Sequence, residues 1–103
     1  MLIRGAGPAL ASYFAAGVTL ADPILRIVRP SDGTTIREND NWEVGNDPTL
    51  VRDAAVKVGA FAYTAGSKDS AILITLPPGI YSAQLSGANN GTGIGLVEVY
   101  EVP

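Results

Sequence analysis

The last third of the chain, Asp69 to Val102, places the strongest constraint on the fold. Two apolar runs, Ala71–Leu76 and Ile80–Ser86, are joined by Pro77-Pro78-Gly79, and a third run, Ile94–Val102, follows a segment rich in Gly and Asn. Short apolar runs separated by Pro and Gly are typical of antiparallel strands. This region therefore predicts a small antiparallel sheet.

The segment before the third run has two interpretations. Asn90-Gly91 is a common hairpin turn, and the flanking glycines favour that role. Asn90-Gly91-Thr92 also matches the acceptor sequence for N-glycosylation. The hairpin is the preferred interpretation.

Strand patterns continue upstream of this region. Leu2–Arg4, Ile24–Arg29 and Gly59–Thr64 are short apolar or alternating runs. Thr34–Arg37 follows the turn signal Ser31-Asp32-Gly33, so it is predicted to form a hairpin with the strand before it. Together with the last third, these segments predict six or so strands.

Two helical segments are predicted. Asp47 is a typical N-cap, Pro48 suits the first helical position, and Gly59 marks the end of an apolar stripe with helical spacing. A shorter helical segment of one or two turns is predicted over Ala9–Ala15, after Pro8.

Composition sets the class of the chain. Its 103 residues are 47% hydrophobic and 17% charged, which is typical of one globular domain. The sequence therefore predicts a single domain, residues 1–103, of the mainly β class. The expected architecture is an antiparallel β-sandwich, jelly-roll-like, with one or two short helices.

The charge and the residue types of the chain argue against several classes of function. The net charge is −3, and the seven basic residues are scattered, which argues against a nucleic-acid partner. The chain has neither cysteine nor histidine, so it lacks thiolate ligands and the commonest general base. No apolar run reaches the roughly 18–20 residues of a membrane span. We expect no catalysis and no membrane insertion.

The polar loop around Asp40 offers the densest set of oxygen ligands. Asn39, Asp40 and Asp47 are weak calcium candidates, because calcium takes six to eight oxygens from carboxylates and amides. The spacing matches no defined calcium loop, and Asn and Asp are also ordinary turn formers. We therefore favour a structural role for these side chains in turns. The sequence predicts no cofactor, and calcium is the alternative.

Trp42, the single tryptophan, follows Asp40 and Asn41. An exposed indole beside such polar side chains is how many sugar-binding surfaces are built, so these three residues are the candidate ligand site. More often a lone tryptophan closes one end of a core, with its N–H bound to a loop carbonyl. The core position is preferred, and whether the indole is buried stays open.

The order of motifs resembles an uncharacterised module of large secreted or surface proteins from verrucomicrobia-like environmental bacteria, similar to bacterial pre-peptidase C-terminal-type β-sandwich domains. The resemblance covers essentially the whole chain. It is carried by Leu2-Ile3-Arg4-Gly5-Ala6-Gly7-Pro8-Ala9-Leu10, Leu20-Ala21-Asp22-Pro23, Asn39-Asp40-Asn41-Trp42, Gly59-Ala60-Phe61, Gly66-Ser67-Lys68-Asp69-Ser70-Ala71, Leu76-Pro77-Pro78-Gly79-Ile80-Tyr81 and Leu96-Val97-Glu98-Val99-Tyr100.

The resemblance implies an extracellular or cell-surface accessory domain without known activity. Members of the module usually carry further strands upstream, which implies that this domain is excised from, or truncated relative to, a larger secreted protein. The expected function is a non-catalytic structural or interaction module. It would associate with neighbouring domains or with itself through edge strands, the candidates being Leu2–Arg4 and Ile94–Val102. The alternative is a carbohydrate-binding module that takes a polysaccharide at Trp42, with or without calcium.

Overall fold

The computed structural model describes residues 1–15 and 17–102 and is mainly β, as the sequence predicts. It contains two antiparallel three-stranded sheets and one α-helix. The elements are β1 (Leu2–Ala6), β2 (Pro23–Arg29), β3 (Thr34–Asn39), α1 (Pro48–Val58), β4 (Ser70–Leu73), β5 (Ser82–Gly87) and β6 (Leu96–Tyr100), with short 3-10 turns at Pro8–Ser12 and Ala88–Asn90.

The strand order is β4-β1-β6 in the first sheet and β3-β2-β5 in the second. The expectation that Leu2–Arg4 is an edge strand is therefore wrong. β1 is the central strand of its sheet, and all five of its residues are buried. A strand covered on both faces and paired on both sides belongs in the middle of a sheet.

The last third does not form a sheet of its own, contrary to the prediction. β4 and β6 both pair with β1, and β5 pairs with β2. Asn90-Gly91 is consequently not a hairpin turn, because the strands on either side of it lie in different sheets. The backbone groups on both edges of the buried strand β1 need hydrogen-bonding partners, and β4 and β6 supply them from the two sides.

The hairpin of β2 and β3 is confirmed. Asp32 Oδ1 accepts a hydrogen bond from the Thr34 backbone N–H at 3.0 Å, and Gly33 adopts a φ of +72°. That backbone hydrogen bond also lowers the pKa of Asp32. An aspartate that bonds the backbone two residues further on, followed by a left-handed glycine, is a local turn device.

The helix α1 begins and ends where predicted. Asp47 Oδ1 accepts from the N–H groups of Thr49 and Leu50 at 3.0 and 3.4 Å, and Pro48 occupies the first turn. Gly59 closes the helix at a φ of +74°. The predicted strand Gly59–Thr64 is wrong, because this segment pairs with no strand, and its Phe61 carbonyl instead accepts a hydrogen bond from Arg4.

Successive residues of β1 point into two different core clusters. Ile3 packs between the sheets with Leu25, Ile27 and Ile72. Leu2 packs on the opposite face, under α1, with Trp42, Val51, Ala54, Ala55 and Ala71. This is the alternation expected of a strand with both faces covered. The two faces of the first sheet therefore bury different sets of side chains.

Candidate functional site

The strand β6 forms one edge of the first sheet and exposes apolar side chains. Within residues 1–15 and 17–102 it pairs only with β1, so its other side carries free backbone groups. Val97 is 38% exposed and Val99 is 56% exposed. Natural edge strands are commonly protected by outward charges, Pro or bulges. β6 has no outward charge. A bulge, or a strand covered on both sides, would explain why Glu98 shares a face with Leu96 and Tyr100 in the sequence pattern, and the unbroken register between β6 and β1 excludes the bulge.

The register explains the orientation of Glu98, which the sequence pattern leaves unresolved. Glu98 lies opposite Arg4, whereas Val97 and Val99 lie opposite Gly5 and Ile3. Paired residues share a face. Glu98 therefore turns to the helix side of the sheet, while both valines turn to the side of the second sheet.

An open groove lies between the two sheets beside Val99. It measures about 370 Å³, and both sheets contribute to its lining. The side chains that form its apolar surface are Ile3, Ile27, Leu76, Tyr81, Ala83 and Val99. The Tyr81 hydroxyl donates to the Pro77 carbonyl at 2.6 Å, which holds the Pro-Pro-Gly loop at the mouth of the groove.

The sheets approach closely at the other end of this interface. A Cβ on Gly5 would lie 2.5 Å from Leu85 Cδ1, and one on Gly95 would lie 2.6 Å from Leu85 Cδ2. A side chain at either position would therefore have to displace the Leu85 methyl groups. The space between the sheets is therefore wedge-shaped, closed at Leu85 and open at Val99.

The predicted ligand site at Asp40, Asn41 and Trp42 has no exposed indole. Trp42 is only 1% exposed, and its Nε1 donates to the Thr64 carbonyl at 3.3 Å. The indole is a core residue because its apolar area is covered by α1 and by Tyr63. These three residues therefore do not form a stacking platform for a sugar ring at the surface.

The weak calcium candidates have other partners. Asn39 Oδ1 accepts from the Ala71 N–H at 3.0 Å, and Asp47 Oδ1 caps α1. No group of three acidic side chains that could hold a metal occurs in the part of the chain that the structure describes. The polar loop is thus engaged in joining β3 to β4 and in starting the helix.

Asp40 forms a carboxyl pair with Asp22 that the sequence analysis did not identify. The hydrogen bond with Asp22, together with some loss of hydration, raises the pKa of Asp40. Nearby, the Ser70 hydroxyl donates to the carbonyls of Asp40 and Pro23. This junction connects the second sheet to β4. Two carboxyl groups separated by 17 residues carry no local signal of their pairing.

Among the described residues, no helix has the length and apolar character needed to cross a bilayer. Comparison with protein-family models, with curated proteins and with solved structures finds no match to this chain. The resemblance to a secreted bacterial module therefore stays a prediction. The geometry of β6 and of the groove beside it remains as the basis for a functional assignment.

Proposed function

We propose that this chain is a non-catalytic interaction module that binds an extended apolar segment along the free edge of β6. The architecture proposed with it is an open β-sandwich, in which the groove beside Val99 is the incomplete part of the inter-sheet core. The observation that carries the proposal is an edge strand with two exposed valines, of which Val99 lines that groove.

The backbone of β6 supplies the affinity in this proposal. An added strand takes up the unpaired N–H and C=O groups of the edge, which is the general mechanism of β-augmentation. Its alternate side chains project to the two faces of the sheet. The set on the side of the second sheet would lie beside Val97 and Val99, and its members next to Val99 would enter the groove.

The lining of the groove defines the partner as apolar on one face. Ile3 and Ile27 belong to the inter-sheet core, yet both also line the groove. An aliphatic side chain placed there would extend the existing core. A charged side chain would lose its hydration without gaining a partner. The binding segment is therefore expected to alternate Val, Ile or Leu with polar residues.

A second copy of the chain supplies such a segment from its own β6. Pairing of two β6 strands would join two three-stranded sheets into one and would cover the valines of both copies. Neighbouring domains with a similar edge strand would use the same surface. Placement at the cell surface or outside the cell is part of this proposal and is supported by the resemblance alone.

Sedimentation velocity over a wide concentration range tests the proposal. Wild type is expected to show reversible association. Val99→Lys is expected to weaken it by about tenfold or more, because the ammonium group would be buried in the groove without a partner. Val44→Lys introduces the same side chain at an exposed loop position and serves as the control.

Two outcomes would contradict the assignment. One is a wild-type protein that stays monomeric at every concentration and does not bind a synthetic peptide with the sequence of residues 94–102. The other is a Val99→Lys protein that associates as strongly as wild type, because association would then use a different surface.

A further inference from the structure

A second cavity lies on the opposite face of the first sheet, between α1 and the segment that follows it. Its volume is about 150 Å³, and nearly all of its lining is apolar. Trp42, Val51, Ala55 and Tyr63 form walls, while the exposed residues Arg52 and Val56 lie at its opening. Apolar cavities of about this size accept benzene-sized molecules.

Arg4 is one of the residues that line this cavity. Arg4 is 1% exposed, projects from the central strand β1, and lies between aromatic rings. Its Cζ is 3.8 Å from the centroid of the Tyr63 ring and 4.6 Å from that of Phe61. Burial raises the pKa of the Tyr63 phenol, so this ring stays neutral beside the cation.

The hydrogen-bonding capacity of Arg4 is largely unused. Nη1 donates to the Phe61 carbonyl at 2.7 Å. Nε and Nη2 are buried and have no hydrogen-bond acceptor among the described residues. Nε lies 3.5 Å from Glu98 Oε1, which is an ion-pair contact without hydrogen-bond geometry. A buried guanidinium with free donors is costly unless an acceptor completes it.

Glu98 offers Arg4 only a partial partner. The Tyr100 hydroxyl donates to the second oxygen of Glu98, and the hydrogen bond raises the pKa of that phenol. Glu98 Oε1 itself lacks a hydrogen-bond donor in the described part of the chain. The two charges are therefore close together but incompletely hydrogen-bonded, and Arg4, which carries the free N–H groups, also lines an apolar cavity.

From this arrangement we infer a binding site for a small monocarboxylate with an aromatic or branched aliphatic body. The body occupies the cavity against Trp42 and Val51, and the carboxylate accepts hydrogen bonds from Arg4. Carboxylate is the acceptor that matches the fork of a guanidinium. A neutral ligand would fill the same space but would leave the free donors with a weaker acceptor.

Arg52 is the residue at the opening. Its guanidinium lies 5.1 Å from the centroid of the Trp42 ring, and its Nη2 lies 3.6 Å from Glu43 Oε2. These contacts place a second positive charge beside the route into the cavity. Such a charge attracts an anion before it is desolvated. A cationic ligand of the same shape offers no acceptor to the free N–H groups of Arg4.

Titration of the wild-type protein with benzoate, benzyl alcohol and benzylamine tests the site. Trp42 is the only tryptophan and lines the cavity, so its fluorescence reports occupancy. Benzoate is expected to give a saturable change, with benzyl alcohol about tenfold weaker and benzylamine weaker still. This series requires no substitution and therefore does not depend on the folding of a variant.

Two variants distinguish the contribution of the cavity to ligand binding from that of the Arg4 charge. Ala55→Leu fills the cavity and is expected to abolish the response to all three ligands. Thr49→Leu adds the same side chain at an exposed position of α1 and should leave the response intact. Arg4→Met is expected to remove the preference for benzoate over benzyl alcohol.

The site is overturned if folded wild type shows no saturable response to benzoate. It is also overturned if benzylamine binds as well as benzoate, or if the Ala55→Leu protein still responds to benzoate. Failure here would leave the proposed strand addition at β6 untouched, because the groove beside Val99 lies on the opposite face of the sheet.

Discussion

On one face of the first sheet, Ile3 of β1 packs with Leu25, Ile27 and Ile72 in a wholly apolar cluster. On the other face, the next residue of the same strand is a buried arginine beside an unfilled cavity. The two faces therefore contribute differently to the molecule. Apolar contact between the sheets provides stability, whereas the helix face holds a charge and an empty volume that both reduce it.

The two proposed binding sites follow from this contrast between the faces. Polar groups with incomplete partners in a buried site are expensive, and in proteins they commonly mark binding sites. On the helix face that group is Arg4. On the apolar face, the inter-sheet space is open at Val99, and this is where we propose that a hydrophobic strand is added.

Ile72→Ala tests the apolar face and is expected to have the largest effect. Ile72 is fully buried opposite Ile3, so the substitution should lower the free energy of unfolding by about 4 kcal/mol. Urea unfolding monitored by circular dichroism measures this loss. Val44→Ala, at an exposed position, should stay within about 0.5 kcal/mol of wild type.

A corresponding substitution on the helix face allows the costs of truncation on the two faces to be compared by the same urea unfolding. Val51→Ala removes apolar contacts from a side chain that already borders the cavity, so its cost should be smaller than that of Ile72→Ala. Equal costs at the two positions would remove the distinction between a closed face and an under-packed one.

The charge pair on the helix face is tested next. Glu98→Leu leaves Arg4 buried without its acidic neighbour and should cost about 3 kcal/mol. The double substitution Arg4→Met with Glu98→Leu should recover most of that loss, because no uncompensated charge remains. Urea unfolding of the two proteins gives the comparison. A double variant no more stable than Glu98→Leu alone would show that Arg4 contributes mainly through packing.

The smallest effect is expected at the junction between the second sheet and β4, where Asp40 pairs with Asp22. The pKa of Asp40 is raised above its ordinary value of 3.8, so the folded state binds this proton more tightly than the unfolded state. The stabilisation by this group is therefore fully present at pH values below 3.8, and it is lost as the pH rises through the raised pKa of Asp40.

Asp40→Asn removes this titration. Relative to wild type, the variant should gain melting temperature as the pH rises from acidic to neutral. Thermal melts in a series of buffers measure the difference, and Asp53→Asn, an exposed carboxylate on α1, controls for the loss of a surface charge. The pairing would be contradicted if the melting temperature of Asp40→Asn, relative to that of wild type, stayed constant or fell as the pH rises.

Elements that depend on neighbouring residues were predicted correctly, whereas elements that depend on distant parts of the chain were not. The limits of α1 follow from Asp47, Pro48 and Gly59, which act on their immediate neighbours. The preferred interpretation of Trp42 as a core residue also agrees with the structure. In contrast, the strand Gly59–Thr64 was inferred from alternation alone, and its residues instead supply aromatic rings and a carbonyl to Arg4.

The candidate sites were less predictable than the elements. Glu98 shares a face with Leu96 and Tyr100, and without knowledge of the partner strand this pattern indicated a bulge or a strand covered on both sides. The partner is β1, which places Arg4 directly opposite Glu98. A single basic residue in one strand and a single acidic residue in another were the available signal, but their separation of 94 residues hides it.

The amino-acid sequence by itself determined the mainly β class, the position of the helix and the hairpin of β2 and β3. Each of these depends on turn residues, caps and side-chain periodicity within a few positions of the chain. Only the tertiary structure decided that β1 is central, that β4 and β6 flank it, and that Arg4 lies beside a cavity. Those outcomes depend on which distant strands cover which faces, because a strand can exchange hydrogen bonds with any partner whose burial pattern fits.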